Sequence, residues 1–156
     1  MNRSNEVKFT QLFINNEFVN SLSGKTYETK NPANNETIAR VHEADKTDVD
    51  RAVNACKQAL KRHSQWRTVD ASERGRTLHR LAYLLEKDMD YITSLETLNT
   101  GKPLKETRKE VQWACDLLHY YAGYADKIHG NTIPADGKVV AITRHEPIGI
   151  CGLLLP

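Results

Sequence analysis

Cysteine, histidine and paired carboxylates are the residues of this chain that could carry chemistry, and their spacing excludes most of it. Cys56, Cys115 and Cys151 are odd in number and far apart, which makes no disulfide framework. Cys151 sits in Gly149-Ile150-Cys151-Gly152, where a turn could expose a nucleophile. No Gly-x-Ser-x-Gly elbow and no partner base accompany it, so a strand cysteine between small residues is the better reading. Cys115 and His119 stand four apart on a predicted helix and could share a ligand, but a core cysteine beside a boundary histidine is the plainer account. The six histidines, His42, His63, His79, His119, His129 and His145, never adopt His-Glu-x-x-His spacing, and no Cys-x-x-Cys occurs. Glu106 and Glu110 stand one helical turn apart among Lys105, Arg108 and Lys109, the pattern of a solvated ion-paired face. No Gly-x-Gly-x-x-Gly or Walker loop is present to cradle phosphates.

Composition narrows the class further. The 156 residues are 39% hydrophobic and 27% charged with a net charge of +2, and basic and acidic residues are interspersed, so no basic stripe offers itself to nucleic acid. Met1-Asn2-Arg3-Ser4-Asn5-Glu6 has no apolar signal region, and no apolar run is long enough to span a membrane. A cytoplasmic chain without membrane or nucleic-acid partners is expected. Asn2-Arg3-Ser4 and Asn35-Glu36-Thr37 fit the glycosylation acceptor pattern only by chance in such a compartment.

The positioning elements are predicted as follows. Phe13 to Val19 reads as a hairpin turning at Asn15-Asn16, because Asn tolerates positive φ. A turn cluster from Asn31 to Asn35 precedes a strand over Thr37 to His42. Three helices follow. The first is capped by Asp45 with Asp48, carries Val49, Ala52, Val53, Cys56 and Leu60 on one face, and ends near His63. The second opens on an Asp70 and Glu73 capping box and runs along Leu78, Leu81, Leu85, Ile92 and Leu95 to a stop at Asn99-Thr100-Gly101. The third holds Pro103 in its first turn and continues through Val111, Ala114, Leu118, Tyr121, Ala125 and Ile128 to Gly130. All three apolar faces need burial elsewhere. Asn131 to Pro134 and Val139 to Glu146 then form a peripheral ribbon around Asp136-Gly137, with exposed edges open to another chain. Ile148 to Pro156 reads as a strand buried on both faces, the opening of a parallel sheet whose remaining strands would require crossovers beyond it.

Five segments carry a family likeness. Trp66-Arg67, Asp70 to Arg76, Glu96-Thr97-Leu98-Asn99-Thr100-Gly101-Lys102-Pro103, and Tyr120-Tyr121-Ala122-Gly123 through His129-Gly130 resemble the N-terminal third of NAD-dependent aldehyde dehydrogenases. Thr143-Arg144-His145-Glu146-Pro147-Ile148-Gly149-Ile150-Cys151-Gly152 is the most specific match. The likeness covers Phe13 to Pro156 in order and is nearest the cytosolic and mitochondrial group acting on retinal, acetaldehyde and similar aldehydes.

The resemblance implies an α/β fold: a hairpin, three helices, an oligomerisation β-ribbon and the first strand of an incomplete Rossmann-like sheet. It divides the chain into residues 1–130 as part of the NAD-binding domain, 131–147 as the ribbon and 148–156 as that strand. In this family the strand runs on into Trp-Asn-Phe-Pro, whose Asn helps hold the oxyanion, and the general-base Glu and nucleophilic Cys lie farther along. The expectation is therefore an amino-terminal fragment, inactive alone, of an enzyme that oxidises an aldehyde to an acid with NAD as cofactor and works as a homo-oligomer. Cys151 is not the family nucleophile. Leu155 and Pro156 match residues that touch the dinucleotide. Thr29, Lys30 and Asn99 match a monovalent-cation site of oxygen ligands whose third position is usually Asp. Trp113 falls where the family's third helix lines the substrate tunnel, as a residue narrowing its entrance or as a buried packing Trp. The alternative to a catalytic fragment is an interaction module that pairs with full-length subunits through Thr132 to Glu146.

Overall fold

A computed structural model describes residues 6–155. β1 (Leu12–Ile14) and β2 (Glu17–Val19) pair antiparallel with Phe13 opposite Phe18. Asn15 and Asn16 take φ of 54° and 65°, the left-handed pair that a two-residue type I′ turn requires. β3 (Thr26–Lys30) has no counterpart in the sequence reading, because Thr-Tyr-Glu-Thr-Lys shows no apolar alternation. It pairs antiparallel with β4 (Thr37–His42), which forms where predicted, with a register shift between Thr29 and Lys30. The turn between them is held by Asn31, whose side-chain oxygen accepts from Ala33 N at 2.9 Å.

α1 (Lys46–Ala59) carries the predicted capping box: the Asp45 carboxylate accepts from Thr47 N and Asp48 N, and the Asp48 carboxylate accepts from Asp45 N. The helix stops short of His63, and a one-turn helix, α2 (Gln65–Thr68), follows with Ser64 as its cap. The single second helix expected from the apolar stripe is two helices, α3 (Ala71–Lys87) and α4 (Met89–Thr100). Asp88, at φ −98° and ψ 13°, breaks the ladder between them. The predicted Asp70 and Glu73 box is absent: Asp70 makes no side-chain cap bond, and Glu73 pairs with Arg76 instead. Gly101, at φ 76°, closes α4 in the predicted left-handed conformation. α5 (Leu104–Ala122) starts after Pro103, which is the cap residue rather than part of the first turn, and ends at Gly123 instead of Gly130.

α3 and α4 both pack on α5. Their contact is made by small residues: Ala82, Cys115 and Ala122 are buried, and a Cβ on Gly75 would stand 2.7 Å from Ala122 O. Buried Thr93 and Thr107 continue this seam, and half-buried Thr97 donates through Oγ1 to Thr107 Oγ1 at 3.0 Å. Larger apolar side chains, including Leu81, Leu117 and Tyr121, face outward.

β5 (Thr132–Ile133) and β6 (Ala141–Ile142) make a ribbon shorter than predicted, joined by a wide loop in which Gly137 has φ 85°. The three strand pairs stay separate, so the fold is helices with short antiparallel ladders and no closed sheet. The strand expected over Ile148 to Pro156 is not formed within residues 148–155: no neighbour bonds to it among the described residues, and Leu154 is 99% exposed. A β-strand needs a partner to take its backbone N–H and C=O groups, and this segment meets none here.

Candidate functional site

Two of the three cation-site residues of the sequence reading, Thr29 and Asn99, come together where β3 meets the end of α4. Thr29 Oγ1 donates to Asn99 Oδ1 at 2.8 Å across 70 positions of sequence. Two features hold this junction. Gly101 turns the chain so tightly that a Cβ there would lie 2.8 Å from Pro32 Cγ, which presses the end of α4 against the turn after β3. Lys30 follows Thr29 at the shift in strand register, a place where ladder groups are released from regular pairing. The Lys30 ammonium would repel a cation, leaving its carbonyl oxygen as the group able to face one. Beside the junction a shallow groove of about 290 Å³ is lined by Asn31, Ser94, Thr97, Leu98 and Leu104. Oxygen donors fit a hard monovalent ion, and the described residues contain no group of three or more His, Cys, Asp or Glu able to hold a metal.

The other predicted positions do not converge on this junction. Trp113 is 69% exposed on α5. It begins an outward stripe with Leu117, Tyr120 and Tyr124, residues at helical spacing, and the Tyr120 and Tyr124 rings stack at 5.9 Å. Leu155 is exposed, and Pro156 lies outside the described residues.

None of the cysteines has the surroundings of a nucleophile. Cys56 and Cys151 are exposed, and among the described residues Cys151 makes one long hydrogen bond, 4.0 Å, to Gly149 O. Cys115 is buried, and that burial, with Glu86 and Asp116 adding to it, pushes its thiol above the usual range, away from the reactive thiolate. Cys115 and His119 do not share a ligand: the thiol points into the helix seam, while His119 Nε2 lies 3.3 Å from Glu86 Oε1 and His119 Nδ1 lies 2.8 Å from His79 Nδ1. This His79, His119 and Glu86 cluster escapes sequence reading because its members are drawn together only when α3 packs on α5.

Comparison with known proteins decides the lineage. The description "Aldehyde dehydrogenase family" matches residues 18–156. The chain belongs to the aldehyde dehydrogenase family. An omega-crystallin of Enteroctopus dofleini is 52% identical to it over 155 residues, which is 99% of this chain and 31% of that protein. Retinaldehyde dehydrogenase 3 of Homo sapiens is also 52% identical over 155 residues, covering 99% of this chain and 30% of its own length. An NAD+ complex of an aldehyde dehydrogenase from Bacillus cereus, 37% identical, superposes with a TM-score of 0.86 over 90% of this chain and 29% of that one. This aldehyde dehydrogenase family member thus spans under a third of the length of these relatives.

Proposed function

We propose that these residues form the amino-terminal part of an NAD-dependent enzyme that oxidises an aldehyde to a carboxylic acid, and that on their own they do not catalyse it. The reading is supported above all by the match over residues 18–156, which includes the Thr143 to Gly152 segment. NAD would accept the hydride in the complete enzyme. A thiolate would have to attack the aldehyde carbonyl, and no cysteine here is both accessible and activated by a base. The work of these residues is structural support: Leu155 and Pro156 contribute one wall to a dinucleotide contact, and Trp113 narrows a substrate entrance. Thr29, Asn99 and the Lys30 carbonyl hold a monovalent cation that ties β3 to α4. A cytoplasmic location and a homo-oligomeric whole complete the proposal. No helix of the described residues is long and apolar enough to cross a membrane.

Purified chain mixed with propanal and NAD should give no rise in absorbance at the reduced-nicotinamide band. Robust turnover would overturn the proposal.

A second reading is favoured by one observation. The ribbon is unusually bare, with Val140 85% and Ile142 68% exposed on a short two-stranded element. Such edges and faces suit pairing with a full-length subunit, which would make the short chain an interaction module. Co-expression with an intact homologue followed by size exclusion tests it, because the module requires a mixed oligomer and its absence overturns this reading.

A further inference from the structure

One cluster plays no part in aldehyde chemistry as outlined above. His79 lies on α3 and His119 on α5, and their Nδ1 atoms stand 2.8 Å apart. On the far side of the His119 ring, Nε2 lies 3.3 Å from Glu86 Oε1, also on α3. An ionised carboxylate only accepts hydrogen bonds, so Glu86 places the His119 proton on Nε2 and leaves the Nδ1 lone pair aimed at His79. One proton, on His79 Nδ1, then fills the space between the two rings. His79 is exposed and the His119 side chain is 40% exposed, so solvent can exchange that proton.

We propose that His79 and His119 form a two-nitrogen site for a divalent transition-metal ion, which takes the place of the shared proton and clips α3 to α5. Carboxylate, histidine and metal in this order is the arrangement by which proteins fix the ring and tautomer of a metal-binding histidine, and Glu86 supplies it as a positioning residue. Zn²⁺, with metal–nitrogen bonds of about 2.1 Å at a tetrahedral angle, would hold two imidazole nitrogens roughly 3.4 Å apart, whereas tetragonal Cu²⁺, with bonds of about 2.0 Å at a right angle, holds them roughly 2.8 Å apart. The spacing seen suits Cu²⁺, and the rings need only swing their lone pairs off the line between them, a χ rotation open to side chains at a surface. On binding, a metal–Nδ1 bond replaces the His79 Nδ1–H bond and that proton passes to solvent, a ligand exchange in which no oxidant or reductant is consumed. Cys115 is no third ligand, since it is buried and its thiol is held protonated. Water completes the coordination shell. Imidazole pairs suit Cu²⁺, Ni²⁺ and Zn²⁺, with Cu²⁺ first in affinity.

Titration of the Cys56→Ser/Cys151→Ser form of the chain with Cu²⁺, followed by calorimetry and electron paramagnetic resonance, tests this, the two exposed thiols being removed because they would reduce the ion. One ion per chain should bind with hyperfine structure from two imidazole nitrogens, and the thermal midpoint should rise with Cu²⁺. The His79→Gln/His119→Gln double variant should bind at least tenfold more weakly and lose the midpoint rise; its far-ultraviolet circular dichroism checks that it is folded. Glu86→Gln should keep both nitrogens in the spectrum while weakening the ion by about tenfold or more. Equal affinity in the parent and the double variant overturns the site, and unchanged affinity in Glu86→Gln overturns the orienting role.

Discussion

Two buried positions on the seam between α3 and α5 carry the sharpest consequences of single residues. Gly75 has no room for a side chain, because its Cβ would meet Ala122 O at 2.7 Å and Ala125 Cβ at 3.4 Å. Gly75→Val should therefore part the two helices and cost roughly 1–3 kcal/mol, read as a lower urea midpoint; an unchanged midpoint would contradict the packing. Cys115 predicts a pH dependence. Burial, with Glu86 and Asp116, raises its thiol in the folded state, so the fold keeps a proton that the unfolded chain releases near pH 8.5, about the free-thiol value. Its contribution is fully present below that pH and fades as pH rises through the folded value. Urea midpoints from pH 7 to 10 should fall in the parent and flatten in Cys115→Ala, and parallel curves would refute the assignment. A thiol reagent at pH 8 should modify Cys56 and Cys151 quickly and Cys115 slowly, since only the last is buried. In sequence Cys115 was readable as a core residue from its place on a helical face. Gly75 carried no such mark, because a glycine declares a close approach only once its neighbour is known.

The two acidic pairs that open α1 and α3 look alike in sequence and behave differently in the fold. Asp45 accepts from Thr47 N at 2.8 Å and Asp48 N at 3.2 Å, whereas Asp70 makes no side-chain cap bond. Asp45→Ala should cost about 1 kcal/mol of stability and Asp70→Ala much less, and equal losses in urea unfolding would contradict this assignment of the caps. The difference lies in long-range partners. Asp48 is buried and also accepts from Leu22 N at 3.3 Å and from Arg51, so the loop after β2 locks the first box in place. Glu73 has Arg76 beside it and is drawn away along the helix. The same logic separates what was legible elsewhere. The β1–β2 turn, β4 and the Gly101 stop rest on local chemistry, Asn and Gly at positive φ or apolar alternation, and these were readable. β3 rests on its pairing with β4 and was not, and the break at Asp88 has no glycine or proline to announce it. At the candidate cation junction the residue types were legible through family likeness, but the 2.8 Å approach of Thr29 to Asn99 depends on Gly101 packing on Pro32.

The chain exposes 12944 Å² of surface, whereas a compact monomer of 17.7 kDa is expected to expose about 7,900 Å². Polar loops do not account for the excess, because Leu81, Trp113, Leu117, Tyr121, Val140 and Leu154 are all among the exposed side chains. Helix faces that are apolar by period yet lie outside the core belong against further protein surface. Residues 148–155 add an apolar segment with unpaired backbone, the feature most prone to pair with a second copy. In solution at neutral pH and moderate salt, the 156-residue chain should therefore self-associate as concentration rises, and it should bind an apolar dye strongly. Ile148 and Leu154, 92% and 99% exposed, touch little else, so replacing both with lysine removes adhesive surface without opening the core. Sedimentation velocity of Ile148→Lys/Leu154→Lys should show the monomer where the parent shows larger species, with the helical circular dichroism unchanged. If the parent stays monomeric across the range, the exposed faces are not adhesive. Should the variant associate as strongly as the parent, the helix faces around Trp113 and Leu117 carry the contact rather than the terminal segment, and lysine at Leu117 becomes the substitution that separates them.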